Sequence, residues 1–307
     1  MAKILDFVRR AAAPAPAPAA GVAALARDFS IEVMPRTAAR VADFRDLLPA
    51  GTRVYVAHID GTPTSDMVAT ARRLVDEGFT VMPHLPARGV LSEAELDHRL
   101  AAYADVGVRE ALVLAGGIAR PHGPFSEALH ILRTGRFDAR GFTRLHVAGH
   151  PEGNRDIDPD GGDTLAMAAM RAKADFARET DAAMAVVTQF VFEAAPVIAW
   201  ADRLAEEGIY LPLHIGVAGP AKLQTLVKYA MSCGIGASMR VLQHRAADLT
   251  KLMLPFTPDA VLADLAAHKA ACPDSAIVGV HFFPLGGIEA TTDYTGSLAA
   301  RPRRALA

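Results

Sequence analysis

Apolar residues in this chain gather into short runs that recur at a regular beat. The runs are FSIEVMP (29–35), RVYVAHI (53–59), TVMPHLP (80–86), EALVLAGG (110–117), RLHVAGHP (144–151), AMAVVTQFVF (183–192), YLPLHIGVAG (210–219) and SAIVGVHFFPL (275–285). Between them lie longer stretches of helical period, such as SDMVATARRLVDEG (65–78), SEAELDHRLAAYADVG (92–107) and APVIAWADRLAEEG (195–208). Each of these three ends in glycine, a usual helix stop. Strands that are apolar almost throughout, alternating with helices, predict a parallel sheet covered on both faces. Some eight such units in 307 residues match a (β/α)8 TIM barrel, of class α/β, in count and length. A doubly wound open sheet is the alternative, and the lack of a GxGxxG after the first strand weakens it. The stretch 240–271 is long enough to hold more than one helix.

Composition adds boundaries. With 51% apolar residues the chain buries a large core, and barrels of this size fold as one domain. The barrel is expected over 23–307, preceded by a disordered Pro/Ala-rich arm over 1–22. The alanines of that arm are interrupted by prolines, which makes a poor signal-peptide core. No apolar run reaches the ~20 residues needed to span a bilayer, so no membrane is expected. The net charge of −2, with no basic run interleaved with aromatics, argues against nucleic acid. Cys233 and Cys272 stand in unrelated contexts and read as reduced structural thiols, which fits a cytoplasmic protein. A homo-oligomer is compatible with the sequence.

One residue breaks the apolar pattern of the first run. Glu32 stands among Phe29, Ile31, Val33 and Met34. Strand side chains alternate between faces, so Phe29, Ile31 and Val33 facing the helices puts Ser30, Glu32 and Met34 inside the barrel. An isolated carboxylate there is costly, and burial raises a carboxyl pKa. Glu32 therefore reads as a proton carrier or as one half of a salt bridge. Barrel active sites lie at the C-terminal ends of the strands. The polar residues expected there are Glu32, His58 with Asp60, His84, His150 with Glu152 and Asn154, Gln189, His214 and His281. Taken singly, each histidine is more often a hydrogen-bonded core residue than a ligand. No HxH or HExxH pair is present, and no metal is expected. Gln189 lies in an apolar strand and reads equally as a ligand contact or a strand bridge. Gly116 and Gly117 mark either a close ligand approach or a turn. GxSxG and SxxK are absent, which favours proton or hydride transfer over acyl transfer.

Together these segments resemble the methylenetetrahydrofolate reductase family, flavin-dependent (β/α)8 barrels of one-carbon metabolism. SIEVMP resembles that family's SFEFFPP, MPHLPARG its PHLTC, and ALVLAGGIARP its ALRGDLPP. VAGHPEGN resembles AAYPEGHP, VVTQFVF resembles ITQFFFD, IGVAGP resembles PGILP, and VGVHFFPLG resembles FHFYTLN. Each motif is short, but all seven occur in the family's order, from about Phe29 to Ala290.

The resemblance implies a reduced folate as substrate, NAD(P)H as co-substrate and FAD as cofactor. It implies Glu32 as the general acid, with Gln189, Phe190 and His281 on the substrate side. It puts His58, His84, Ala115, Gly116, Gly117, His150, Asn154 and Arg178 on the flavin side. Several of these depart from the family. Ala115, Gly116 and Gly117 replace an Arg-Gly-Asp, His150 a tyrosine, Asn154 a histidine and Arg178 a lysine, while Arg171 aligns near a family aspartate. Three readings follow: FAD in a modified pocket, direct hydride transfer from NADH without flavin, or a non-redox binder of reduced folate.

Overall fold

The computed structural model describes residues 19–232 and 255–300. Eight parallel strands close into a barrel in chain order: β1 (Ser30–Val33), β2 (Arg53–Val56), β3 (Thr80–Pro86), β4 (Glu110–Leu114), β5 (Arg144–Gly149), β6 (Ala183–Thr188), β7 (Leu213–Ala218) and β8 (Ile277–Phe283). Each apolar run of the sequence holds one of them. The barrel closes where β1 meets β8, with Ser30 opposite His281 and Ile31 opposite Phe282. The helices outside it include α1 (Ala19–Leu25), α2 (Pro35–Ala38), α3 (Thr64–Asp76), α4 (Glu93–Asp105), α5 (Ala128–Leu132), α6 (Arg136–Ala139), α7 (Thr164–Phe176), α8 (Ala195–Glu206), α9 (Leu223–Ser232), α10 (Asp259–Ala271) and α11 (Ile288–Ala300).

The local causes are those the sequence carries. In α3, Met67, Ala71 and Leu74 recur at helical spacing and are buried against the sheet. Gly78, Gly107 and Gly208 end the chain's α3, α4 and α8 segments at φ of 90°, 85° and 73°, a region open to glycine at little cost. Ile31 and Val33 pack into the layer between sheet and helices, and Phe29 meets Phe282 edge-on at 5.6 Å.

The start of the folded part differs from expectation, because residues 19–22 of the expected arm already belong to α1, which packs against α10 and α11. The rest of that arm, 1–18, lies outside the described residues, as does the first part, 240–254, of the expected helical stretch 240–271. Within that stretch, 259–271 form the single helix α10. Cys272, at the end of α10, is a free, exposed thiol; Cys233 lies outside the described residues. Among the described residues no helix is long and apolar enough to cross a membrane.

The barrel interior is polar at its floor and at its mouth. At the floor, Arg53 from β2 grips Glu110 from β4 with two hydrogen bonds, of 2.6 and 3.1 Å, and Arg144 from β5 approaches the same carboxylate at 3.3 Å. Above lies a small apolar layer of Tyr55, Met82, Leu112 and Val187. The mouth carries the groups described next.

Candidate functional site

Three strands converge on one carboxyl group. Glu32 projects inward from β1, His84 from β3 and His281 from β8. Glu32 Oε2 lies 3.7 Å from His84 Nε2 and 3.7 Å from His281 Nε2. The side chains of Glu32 and His84 keep 19% and 15% of their exposure, while His281 keeps 1%. Glu32 is thus the group of the three that is most open to a ligand. Both facing nitrogens are buried and have no hydrogen-bond partner within protein distance.

Each imidazole is held from behind. His84 belongs to a strand stiffened by Pro83 and Pro86. Burial pushes its pKa down to about 4, with Glu32 opposing the shift and His281 and His58 adding to it. His281 Nδ1 is hydrogen-bonded to Ser30 Oγ at 2.9 Å. That bond leaves Nε2 aimed at Glu32. Beneath it lies the Tyr55 phenol, whose pKa is raised by burial. Tyr55 Oη in turn lies 2.5 Å from His146 Nδ1, and the His146 ring stacks on His214 at 5.0 Å.

His214 belongs low in the barrel rather than on the rim where the sequence put it. β7 starts at Leu213, after Pro212, so His214 is the strand's second residue. Burial lowers its pKa to about 4. His58 does stand at the mouth, just beyond β2, half-buried, with its pKa lowered by burial and by Arg99. Gln189 follows β6, and its side-chain oxygen accepts from the Phe190 N–H at 3.1 Å. Phe190 itself is buried in an aromatic wall with Phe192 and Phe283, at 5.7 and 5.3 Å between centroids.

The other side of the mouth is built by the loops after β3, β4 and β5. Arg88 joins all three. Its guanidinium donates to the carbonyls of Gly116, Ile118 and Ser126 and to Asp156. Gly116 has φ of 96°, and a Cβ there would come within 3.0 Å of Pro86. Ala115 and Gly117 contribute no polar side chain, and the Ala115 carbonyl accepts from the Arg88 N–H. His150 is hydrogen-bonded to Asn154 at 3.4 Å, and burial and Lys173 bring its pKa down to about 4.

Arg178 is not brought to this region. It follows α7 and precedes β6, at the opposite end of the barrel, where it pairs with Asp175. The buried cation behind β5 is Lys173, whose ammonium donates to the Ala148 carbonyl at 2.8 Å. Burial lowers its pKa to about 8. The sequence signal for Lys173 was a lysine on the apolar stripe of α7, between Met170 and Ala174. Among the described residues no group of three His, Cys, Asp or Glu is placed to hold a metal ion.

No protein-family model matches the chain. Among solved structures it is similar to an uncharacterized protein from Clostridium thermocellum that binds two copies of 5-methyl-5,6,7,8-tetrahydrofolic acid. That likeness has a TM-score of 0.57 and 12% identity, and covers 92% of this chain and 98% of the other. The fold is shared. Dihydropteroate synthase from Thermus thermophilus matches at a TM-score of 0.44 and 13% identity, over 89% and 93% of the two chains.

Proposed function

We propose that this barrel binds a reduced folate at its mouth and interconverts 5,10-methylenetetrahydrofolate and 5-methyltetrahydrofolate, with NAD(P)H as hydride donor and Glu32 as acid. The observation that carries the reading is Glu32 itself: one accessible carboxyl group between two imidazole nitrogens that have no other partner. The Clostridium thermocellum barrel binds 5-methyltetrahydrofolate, which is the product of this reaction. Its distant likeness supports the fold, and the ligand class rests on the sequence motifs around Glu32 and Gln189.

The chemistry asks for one proton and one hydride. Glu32 protonates the leaving nitrogen of the folate's imidazolidine ring. The carbon–nitrogen bond breaks with its electron pair on that nitrogen, and the remaining nitrogen forms an iminium with the methylene carbon. Hydride from the nicotinamide then reduces that carbon to a methyl group, and the nicotinamide is oxidised. In reverse, the Glu32 carboxylate takes the proton back. At neutral pH His84 is an uncharged imidazole, because its pKa is depressed to about 4. It stands 3.7 Å from the carboxyl without supplying a permanent positive charge. Gln189, with its oxygen engaged by Phe190 N–H, turns its amide NH2 to the ligand.

The residues that resemblance gives to flavin do not fit that group. Ala115 and Gly117 have no polar side chain, and the Ala115 and Gly116 carbonyls are turned to Arg88. Asn154 is turned to His150 and to the Asp156 N–H, and Arg178 lies at the far end of the barrel. We derive no step through flavin, and direct transfer from a diffusible nicotinamide is the form of the reaction that these residues favour. It requires only that donor and iminium be held in line.

The test is NADH oxidation by purified protein with methylenetetrahydrofolate and no added flavin. Oxidation that depends on the folate, from a preparation without flavin absorbance, is the expected result. Glu32→Gln is expected to lower kcat by about 100-fold or more, the usual worth of a general acid, with an unchanged melting temperature. Near-normal turnover in that variant would remove Glu32 from the acid role. Tight binding of 5-methyltetrahydrofolate with no NADH consumption would instead identify a non-redox folate binder.

A further inference from the structure

The ladder between β6 and β7 is out of step at the mouth. Val187 stands opposite His214, but the next bridge joins Val191 to Val217, so four steps along one chain segment match three along the other. That is a β-bulge, and it changes the alternation of the strand. Val187 faces the barrel interior with Tyr55 and Met82, whereas Val191, of the same parity, packs in the layer between sheet and helices. The extra residue falls within 188–190, beside Gln189.

Two residues build the bulge. The Gly216 N–H donates to the Thr188 hydroxyl at 2.9 Å, and that hydroxyl donates to the Gln189 carbonyl at 2.9 Å. Thr188 itself is buried. Gly216 lies so close that a Cβ there would come within 2.4 Å of the Thr188 carbonyl oxygen and 2.7 Å of the Gln189 carbonyl. Glycine is what admits the bulged backbone at that distance. The ladder resumes with the Val191 N–H on the Gly216 carbonyl at 3.0 Å.

The bulge leaves the Phe190 N–H outside the ladder, and this group donates to Gln189 Oε1 at 3.1 Å. A backbone N–H needs an acceptor, so the bond fixes which end of the amide is oxygen. The Gln189 NH2 then has two protons to give, and among the described residues nothing accepts them. We propose that Thr188 and Gly216 are positioning residues for ligand specificity: their bulge locks Gln189 as a donor, so the mouth selects a heterocycle whose facing edge carries an acceptor, and disfavours one that presents an amino group there. This deepens the folate reading and rests on it for the ligand, since a reduced pterin is a lactam with a ring carbonyl.

The test compares 5-methyltetrahydrofolate with its analogue bearing an amino group in place of that carbonyl. The lactam is expected to bind at least about ten-fold more tightly, the worth of one well-made hydrogen bond. Gln189→Glu keeps an oxygen for the Phe190 N–H and is expected to abolish the preference. A preference that survives in Gln189→Glu overturns the donor lock. Thr188→Val is expected to weaken folate binding by about ten-fold, and Thr188→Ser to restore it to within about two-fold. In a Gln189→Ala background, Thr188→Val is expected to cost nothing further, because Thr188 acts through Gln189. The same ten-fold loss in that background would make Thr188 a packing residue only. If the wild type binds neither ligand, the folate reading fails, and amide hydrogen exchange still decides the lock. The Phe190 N–H is expected to be protected in the wild type and in Thr188→Ser, and to exchange at least about ten-fold faster in Thr188→Val and Gln189→Ala. Equal exchange in all four overturns it.

Discussion

Ser30 shows how much can hang on a small side chain. Its hydroxyl is the group that holds the tilt of the His281 ring. Ser30→Ala leaves His281 Nδ1 buried without a partner, which costs about 1–2 kcal/mol. Urea unfolding checks that figure. Turnover is expected to fall through kcat, with KM little changed, because Ser30 acts through His281 and not on the ligand. Glu32 was legible in the sequence because a carboxyl in an apolar run is a costly exception, and strand alternation put it on the inner face. Ser30 and His281 were not legible as a linked pair. Each reads as ordinary alternation within its own strand, and the Ser30 partner lies 251 positions away. The cation behind β5 was misplaced for a related reason. Arg178 matches a short motif by its place along the chain, and that place does not reveal that the connection after α7 returns to the barrel floor.

At the scale of elements, the strands and the order of the barrel were legible because both follow from local patterning. The loops were less so, since their shape is set by bonds between segments far apart in sequence. Arg88 is the clearest case. It follows β3 in a 3-10 turn and ties down the loops after β4 and β5 through three carbonyls and one carboxylate. Its side chain is 17% exposed, and its bonds to the Gly116 and Ile118 carbonyls are partly buried. A lysine retains the charge and loses the fork that reaches several acceptors at once. Arg88→Lys is expected to destabilise the protein by about 2–3 kcal/mol, at roughly 1 kcal/mol for each lost bond. Limited proteolysis should then cut first between residues 116 and 126, ahead of any cleavage in the barrel strands.

At the scale of the whole molecule, the buried histidines set the acid limit. The pKa values of His84 and His150 are each lowered from 6.5 to about 4 by burial. The unfolded chain therefore binds more protons than the folded one between these values. The stability that these two histidines contribute is complete above about pH 6.5, falls as pH drops towards 4, and levels off below that. For His84 alone the loss is on the order of 3 kcal/mol at the acid end. Denaturant midpoints measured at several pH values across that interval check the slope, and His84→Gln is expected to flatten it. The closure of the barrel has a consequence of another kind. Glu32 rides on the first strand and its imidazole neighbour His281 on the last, and the two meet only where β1 zips to β8. During synthesis Glu32 leaves the ribosome early and waits through seven further strands before His281 arrives. No shorter nascent chain carries the assembled pair, so the proposed activity has its earliest possible onset at the moment when the ring is shut.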